Sequence, residues 1–137
     1  MGLFTKLFGS SKPRQDIEEI NTSAGTKMLI GQPANYPDEL VGLLQKYFEN
    51  IVVIRAAYLA QIQIPADGEP PHILIGIQFD GDPKAGLDAI AGELTGLVSQ
   101  LETPLGPVDF KPVIGGPIDD YLITRTNPCY RRPFRAI

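Results

Sequence analysis

From Leu40 to Phe48 the apolar side chains fall at Leu40, Val41, Leu43, Leu44, Tyr47 and Phe48. That spacing, i, i+1, i+3, i+4, i+7, i+8, gives one continuous stripe on a helix. Pro37 stands where a first helical residue belongs, and Asp38 and Glu39 complement the positive end of the helix dipole. Ahead of this helix Met28, Leu29 and Ile30 form an apolar run closed by Gly31, read as a strand from Lys27 to Ile30. After it the period drops to two. From Ile51 to Ile64, Val52, Ile54, Ala56, Tyr58, Ala60, Ile62 and Ile64 share one face, expected to be core. Arg55, Ala57, Leu59, Gln61 and Gln63 share the other, expected to be mixed and open. The connection Pro65 to Pro71 carries an Asp67 and Gly68 turn pair, and His72 to Phe79 reads as the return strand of an antiparallel hairpin. Its Ile73, Ile75, Ile77 and Phe79 are assigned to the core, and His72, Leu74, Gly76 and Gln78 to the mixed side.

Asp82 before Pro83 caps a second helix that runs to about Leu101 on a stripe of Leu87, Ile90, Ala91, Leu94, Leu97, Val98 and Leu101. A last strand follows around Pro107 to Val113, with Val108 and Phe110 alternating against Asp109 and Lys111. The order β-α-β-β-α-β predicts an α+β fold of the ferredoxin-like kind, a four-stranded antiparallel sheet with both helices on one face. Residues 1–25 read as an N-terminal helical arm and linker: Leu3, Phe4, Leu7 and Phe8 share one side, Gly9 to Pro13 link, and a short helix passes through Asp16, Ile17, Glu18 and Ile20. Residues 26–137 form the domain, with a helical turn at Ile118 to Ile123 and a basic tail.

Composition narrows the function. No apolar run approaches the roughly 20 residues of a bilayer span, so no transmembrane segment is expected. A net charge of −4 disfavours a general nucleic-acid surface, and one cysteine fits a reducing cytoplasm. With His72 the only histidine and Cys129 the only cysteine, neither a metal site nor a cofactor is expected. Arg131 and Arg132 beside Cys129 would lower its pKa, whereas burial would raise it; a buried structural thiol is the preferred reading. Asp80, Gly81 and Asp82 are read as a turn and helix cap, and Gly115, Gly116 and Pro117 as a bend.

Three surfaces remain as contact candidates. Ala85, Ala89, Gly92 and Gly96 lie within about 60° of one another around the second helix, opposite its stripe, and allow a close self-association contact. The open sheet face offers Arg55, Ala57, Leu59, Gln61, His72, Leu74 and Gln78; with Tyr58 and Phe79 assigned to the core, it lacks the stacking aromatics of an RNA-binding sheet. The C-terminus collects Arg125, Tyr130, Arg131, Arg132, Phe134 and Arg135 in an otherwise acidic chain, to dock an acidic partner or to fold back onto the domain's own carboxylates.

From about Lys27 to Arg135 the sequence resembles the C-terminal domain of the SseB family, the enhanced serine sensitivity proteins. The resemblance lies in Gly31, Gln32, Pro33, Tyr36 and Pro37; in Ala56, Ala57, Tyr58 and Leu59; in the run from Pro71 to Gly76; in Val108, Asp109 and Phe110; and in the close Pro128, Cys129, Tyr130, Arg131, Arg132, with Cys129 where the family is expected to carry Phe. The family name records a phenotype, so the resemblance brings no catalytic residues. With no catalytic constellation in the sequence, the preferred reading is a non-enzymatic protein-interaction module of this type that self-associates as a homodimer or meets an unknown protein partner. Contacts are expected at Gly31, Gln32, Pro33, Tyr36, Arg55, Leu59, Gln61, His72, Leu74, Gln78, Tyr130, Arg131 and Arg132. The alternative is a regulatory domain that holds a metabolite such as an amino acid on backbone amides near Gly31 and Gln32.

Overall fold

The computed structural model describes residues 17–21, 25–68 and 70–133. The arm and linker expected over Leu3 to Pro13, with Phe134 and Arg135, lie outside the described residues. The elements in chain order are β1 (Glu18–Asn21), β2 (Lys27–Gly31), α1 (Asp38–Phe48), β3 (Ile54–Gln63), a 3-10 turn (Pro65–Asp67), β4 (His72–Phe79), α2 (Pro83–Ser99), β5 (Val108–Pro112), α3 (Pro117–Arg125) and β6 (Tyr130–Arg131). The strands build one sheet in the order β1-β2-β3-β4-β5, with β6 pairing on β3.

The architecture is α+β, but the sheet departs from the expected one in three ways. Glu18 to Asn21 is a strand rather than a helix: Ile20 pairs with Met28, and β1 extends the sheet beyond β2. The apolar positions Ile17 and Ile20 suit a helix three residues apart, but the chain is too short there for periodicity to decide. Second, β2 pairs directly and antiparallel with β3, Ile30 opposite Ile62. Third, β5 runs parallel to β4, Ile75 opposite Phe110, so the sheet is mixed rather than antiparallel throughout. A parallel neighbour requires a crossover, and α2 supplies it.

Both faces of the sheet are covered. On one side α1 and α2 pack Leu40, Leu44, Phe48, Ile90 and Leu94 against Ile54, Ala57, Leu59, Ile73, Ile75, Ile77 and Phe79. On the other, Tyr121 and Leu122 of α3 pack against Ile30, Ala56, Tyr58, Ala60, Ile62 and Leu74. The face expected to be open is therefore the seat of α3, and the assignment of β3 is inverted beyond its first residue. The cause is a bulge: Ile54 pairs with Phe79 but Ala56 with Gln78, so Arg55 is an extra residue on β3. One inserted residue exchanges the two faces for the rest of the strand. Leu59, at 2% exposure, lies under the helix pair, and Leu74, at 4%, lies under α3. Tyr58 and Phe79 are both buried, on opposite faces. Ala91, expected in the buried stripe of α2, is exposed; Ile90 and Leu94 carry the burial.

Two close approaches set the helices on the sheet. A Cβ at Gly76 would stand 2.6 Å from Leu122 Cδ1, and one at Gly86 would stand 2.6 Å from Phe79 Cδ1. The absence of side chains there lets α3 and α2 sit directly on β4. The start of α3 is fixed by Asp119, which is 1% exposed. Its Oδ2 accepts from the backbone N–H groups of Ile114 and Gly115, both at 2.7 Å, and its Oδ1 pairs with Lys111 of β5. A buried carboxylate is tolerable only with such a set of partners.

Gly76→Val is expected to cost about 1–3 kcal/mol in urea unfolding, the usual penalty for overpacking, and Leu122→Ala in the same chain is expected to recover part of that loss. Additive losses would show that the two positions do not share space.

Candidate binding surface

The bulge that inverts β3 also turns Arg55 outward at the sheet's end, beside the loop after α1. There β6 adds to β3, with Arg131 opposite Ala56 and Tyr130 opposite Ala57. The N–H groups of Cys129 and Arg132 donate to the carbonyls of Ala57 and Arg55, each at 2.8 Å. Between these segments lies a cavity of about 500 Å³ walled by Glu49, Ile51, Val52, Arg55, Ala56, Gln78, Tyr130, Arg131, Arg132 and Pro133. Five residues singled out from sequence, Arg55, Gln78, Tyr130, Arg131 and Arg132, meet there from three separate parts of the chain.

The Tyr130 ring packs against Phe48, centroids 5.4 Å apart, and its hydroxyl donates to the Phe48 carbonyl at 3.4 Å. It is a buried floor, not an exposed platform. Arg132 Nη1 donates to the Val52 carbonyl and to Asp80 Oδ2, both at 2.7 Å, while Arg55 Nε lies 3.4 Å from Asp80 Oδ1. Asp80 thus stands between two guanidinium groups. Arg131 is exposed and has no ion pair among the described residues. Val52 is 78% exposed at the rim.

The remaining candidates are not brought to this cavity. Gly31 ends β2 opposite Gln61, and Gln32 Nε2 donates to the Leu59 carbonyl at 2.9 Å. That bond has a structural meaning. β2 pairs with β3 as far as Gln61 and β6 takes over at Ala57, so Leu59 falls in the gap between two strands sharing one edge. The Gln32 amide supplies the donor that a continuous strand would supply. Pro33 is half-buried; Tyr36 is 45% exposed, its phenol raised by partial burial and then by the neighbouring Cys129 and Asp38. Gln61 is half-buried. His72 Nε2 lies 2.6 Å from Asp109 Oδ2, so it bonds a carboxylate across β4 and β5. On α2, Ala85, Ala89 and Gly92 are exposed and Gly96 is half-buried, and a Cβ at either glycine would meet nothing within 4 Å. The expected cap forms too: Asp82 Oδ1 accepts from the N–H groups of Lys84 at 3.0 Å and Ala85 at 3.4 Å.

Cys129 is 6% exposed, and its carbonyl accepts from Gln45 Nε2 at 2.8 Å. Burial pushes its thiol up to about 11, against any lowering by the adjacent arginines. The reading as a structural thiol therefore stands. The residues missed from sequence are Lys111 and Asp119; an Asp at the third helical position behind Gly116 and Pro117 was the available signal. Among the described residues no group of three or more His, Cys, Asp and Glu is placed to hold a metal, and no helix is long and apolar enough to cross a membrane.

Two outcomes are expected. Gln32→Ala should lower stability by about 1–3 kcal/mol, the cost of an unpaired buried carbonyl, without changing the cavity. The Cys129 thiol is neutral in the folded chain to higher pH than in the unfolded one, so its contribution is complete below about pH 9 and lost as pH rises through about 11. Wild type should lose about 2–3 kcal/mol relative to Cys129→Ala over that range in denaturant titrations; parallel curves would refute it.

Comparison with curated proteins found no match, and comparison with solved structures found none. A family described as the SseB protein C-terminal domain matches residues 22–132, from the β1–β2 connection through the arginines of the cavity. With most of its length inside that match, the chain belongs to the SseB C-terminal domain family.

Proposed function

We propose that this chain is a non-enzymatic protein-interaction module of the SseB type, and that its contact surface is the arginine-bordered cavity at the β3–β6 end of the sheet. The observation that carries the reading is convergence. Glu49, Ile51, Val52, Arg55, Ala56, Gln78 and residues 130–133 build one concave surface with Arg131, which has no ion pair among the described residues, and an exposed apolar rim residue, Val52. Concavity with apolar area and a few placed polar groups is the usual form of a binding site. The wall offers no nucleophile beside a base, since Tyr130 is bonded to a carbonyl and Cys129 is buried with a raised pKa.

The alternative, a regulatory domain that holds a metabolite on backbone amides near Gly31 and Gln32, would place its site at the end of β2, away from the cavity. Self-association would use a separate surface, the exposed Ala85, Ala89 and Gly92 of α2, where small side chains leave room for a second helix.

Val52→Glu together with Arg131→Glu is expected to abolish capture of the physiological partner by purified protein while the melting temperature stays within about 2 °C, since both side chains are exposed. Retained capture would remove the cavity from the reading. For the second surface, sedimentation velocity should give a dimer that Ala89→Arg converts to monomer; a monomeric wild type at all concentrations would refute self-association.

A further inference from the structure

We infer that the cavity receives an acidic, partly apolar peptide segment of a partner protein, and that Asp80 is an internal counter-ion which the incoming carboxylates displace. The inference rests on the cavity being the contact surface and adds the chemistry of what enters it.

Charge is the first argument. The chain carries −4 overall, yet the cavity wall holds Arg55, Arg131 and Arg132 against the single carboxylate of Glu49. A cationic concavity on an acidic molecule excludes most of the protein's own surface and attracts anions. Asp80, just outside the wall, is the only carboxylate paired with these arginines among the described residues. It reaches each guanidinium through one nitrogen, Nε of Arg55 and Nη1 of Arg132. A guanidinium carries five N–H donors, so both retain capacity for a second carboxylate. All three partners are at least one-third exposed. Exposed pairs of this kind contribute little to stability, so exchanging Asp80 for a ligand carboxylate costs the fold little.

Shape and polarity decide the class of anion. A volume near 500 Å³ exceeds what one carboxylate or phosphate fills, and Ile51, Val52 and Ala56 add apolar wall. Val52, 78% exposed, extends that apolar surface to the rim. Alternating acidic and apolar side chains would satisfy both. A nucleic acid would need a broad basic surface and free aromatic faces, but Tyr130, the one aromatic in the wall, is buried against Phe48.

The test is fluorescence anisotropy with a short fluorescein-labelled peptide of alternating glutamate and leucine. Serine–leucine and lysine–leucine peptides and a thymidine oligonucleotide serve as comparisons, and backbone amide NMR of the full chain maps the contact. The acidic peptide should bind, weaken with salt and shift the Val52 and Arg131 resonances. Arg131→Ala should weaken it about fivefold, while Asp80→Asn should tighten it by a similar factor, since each change alters about one exposed charge contact. Glu49→Gln, which breaks no ion pair among the described residues, should also tighten it and serves if Asp80→Asn melts early. Opposite signs at Arg131 and Asp80 are the signature of displacement. No change in either variant, weakening by Asp80→Asn in a folded protein, or equal binding of the oligonucleotide would overturn the inference. Equal shifts at Val52 and Arg131 from the serine–leucine peptide would overturn the acidic class yet leave the contact surface intact. Absence of shifts there with every peptide would overturn both.

Discussion

Strand β3 is buried on both faces and hydrogen-bonded along both edges, and one of those edges is shared between two strands that do not meet. Everything outside it must be complementary to that arrangement. Two faces need two helical layers, so α3 is required where a half-open sheet would leave solvent. A shared edge needs something at the seam, and a side-chain amide from Gln32 fills it at Leu59. The strand carries Ala at positions 56, 57 and 60, small enough to let both layers approach without forcing the sheet apart.

Much of this was legible in the sequence wherever a single periodicity ran without interruption. The stripe from Leu40 to Phe48 gave α1, the alternation of Ile73, Ile75, Ile77 and Phe79 gave the helix-covered face of β4, and Asp82 with Pro83 gave the start of α2. Where the reading went astray, a physical event broke the pattern without marking it. The bulge at Arg55 contains no Gly or Pro, so nothing in the sequence announces that the phase of β3 changes there. Strand direction was equally hidden: Val108 and Phe110 alternate in the same way whether β5 is parallel or antiparallel to β4. Arg55, Gln78, Tyr130, Arg131 and Arg132 could be singled out as unusual for their positions, but only the pairing of β6 with β3 makes them neighbours. Gln32 and His72 stood out equally and proved to be bonded within the fold.

Covering both faces also leaves the proposed contact surface at the margin of the sheet. A sheet with one open side can bind across that side; here Leu122 occupies the hollow above Gly76, and the Lys111 and Asp119 pair holds the start of α3 in place. The sheet itself stays accessible at the ends of its strands, and the end of β3 is where the bulge turns a guanidinium outward. The same irregularity that complicates the core thereby supplies a wall of the cavity.

The pairing of residues 129–132 with residues 55–57 spans most of the chain, and Gln45 reaches the Cys129 carbonyl across 84 positions. Contacts of such long sequence separation close late, because the loop entropy must be met before they contribute. During synthesis the central strand therefore emerges with the Arg55 and Ala57 carbonyls unclaimed, and they stay so until Cys129 and Arg132 have been added. The cavity shares those residues, so it comes into existence only when the sheet is finished: without residues 130–132 it lacks the wall of Tyr130, Arg131 and Arg132.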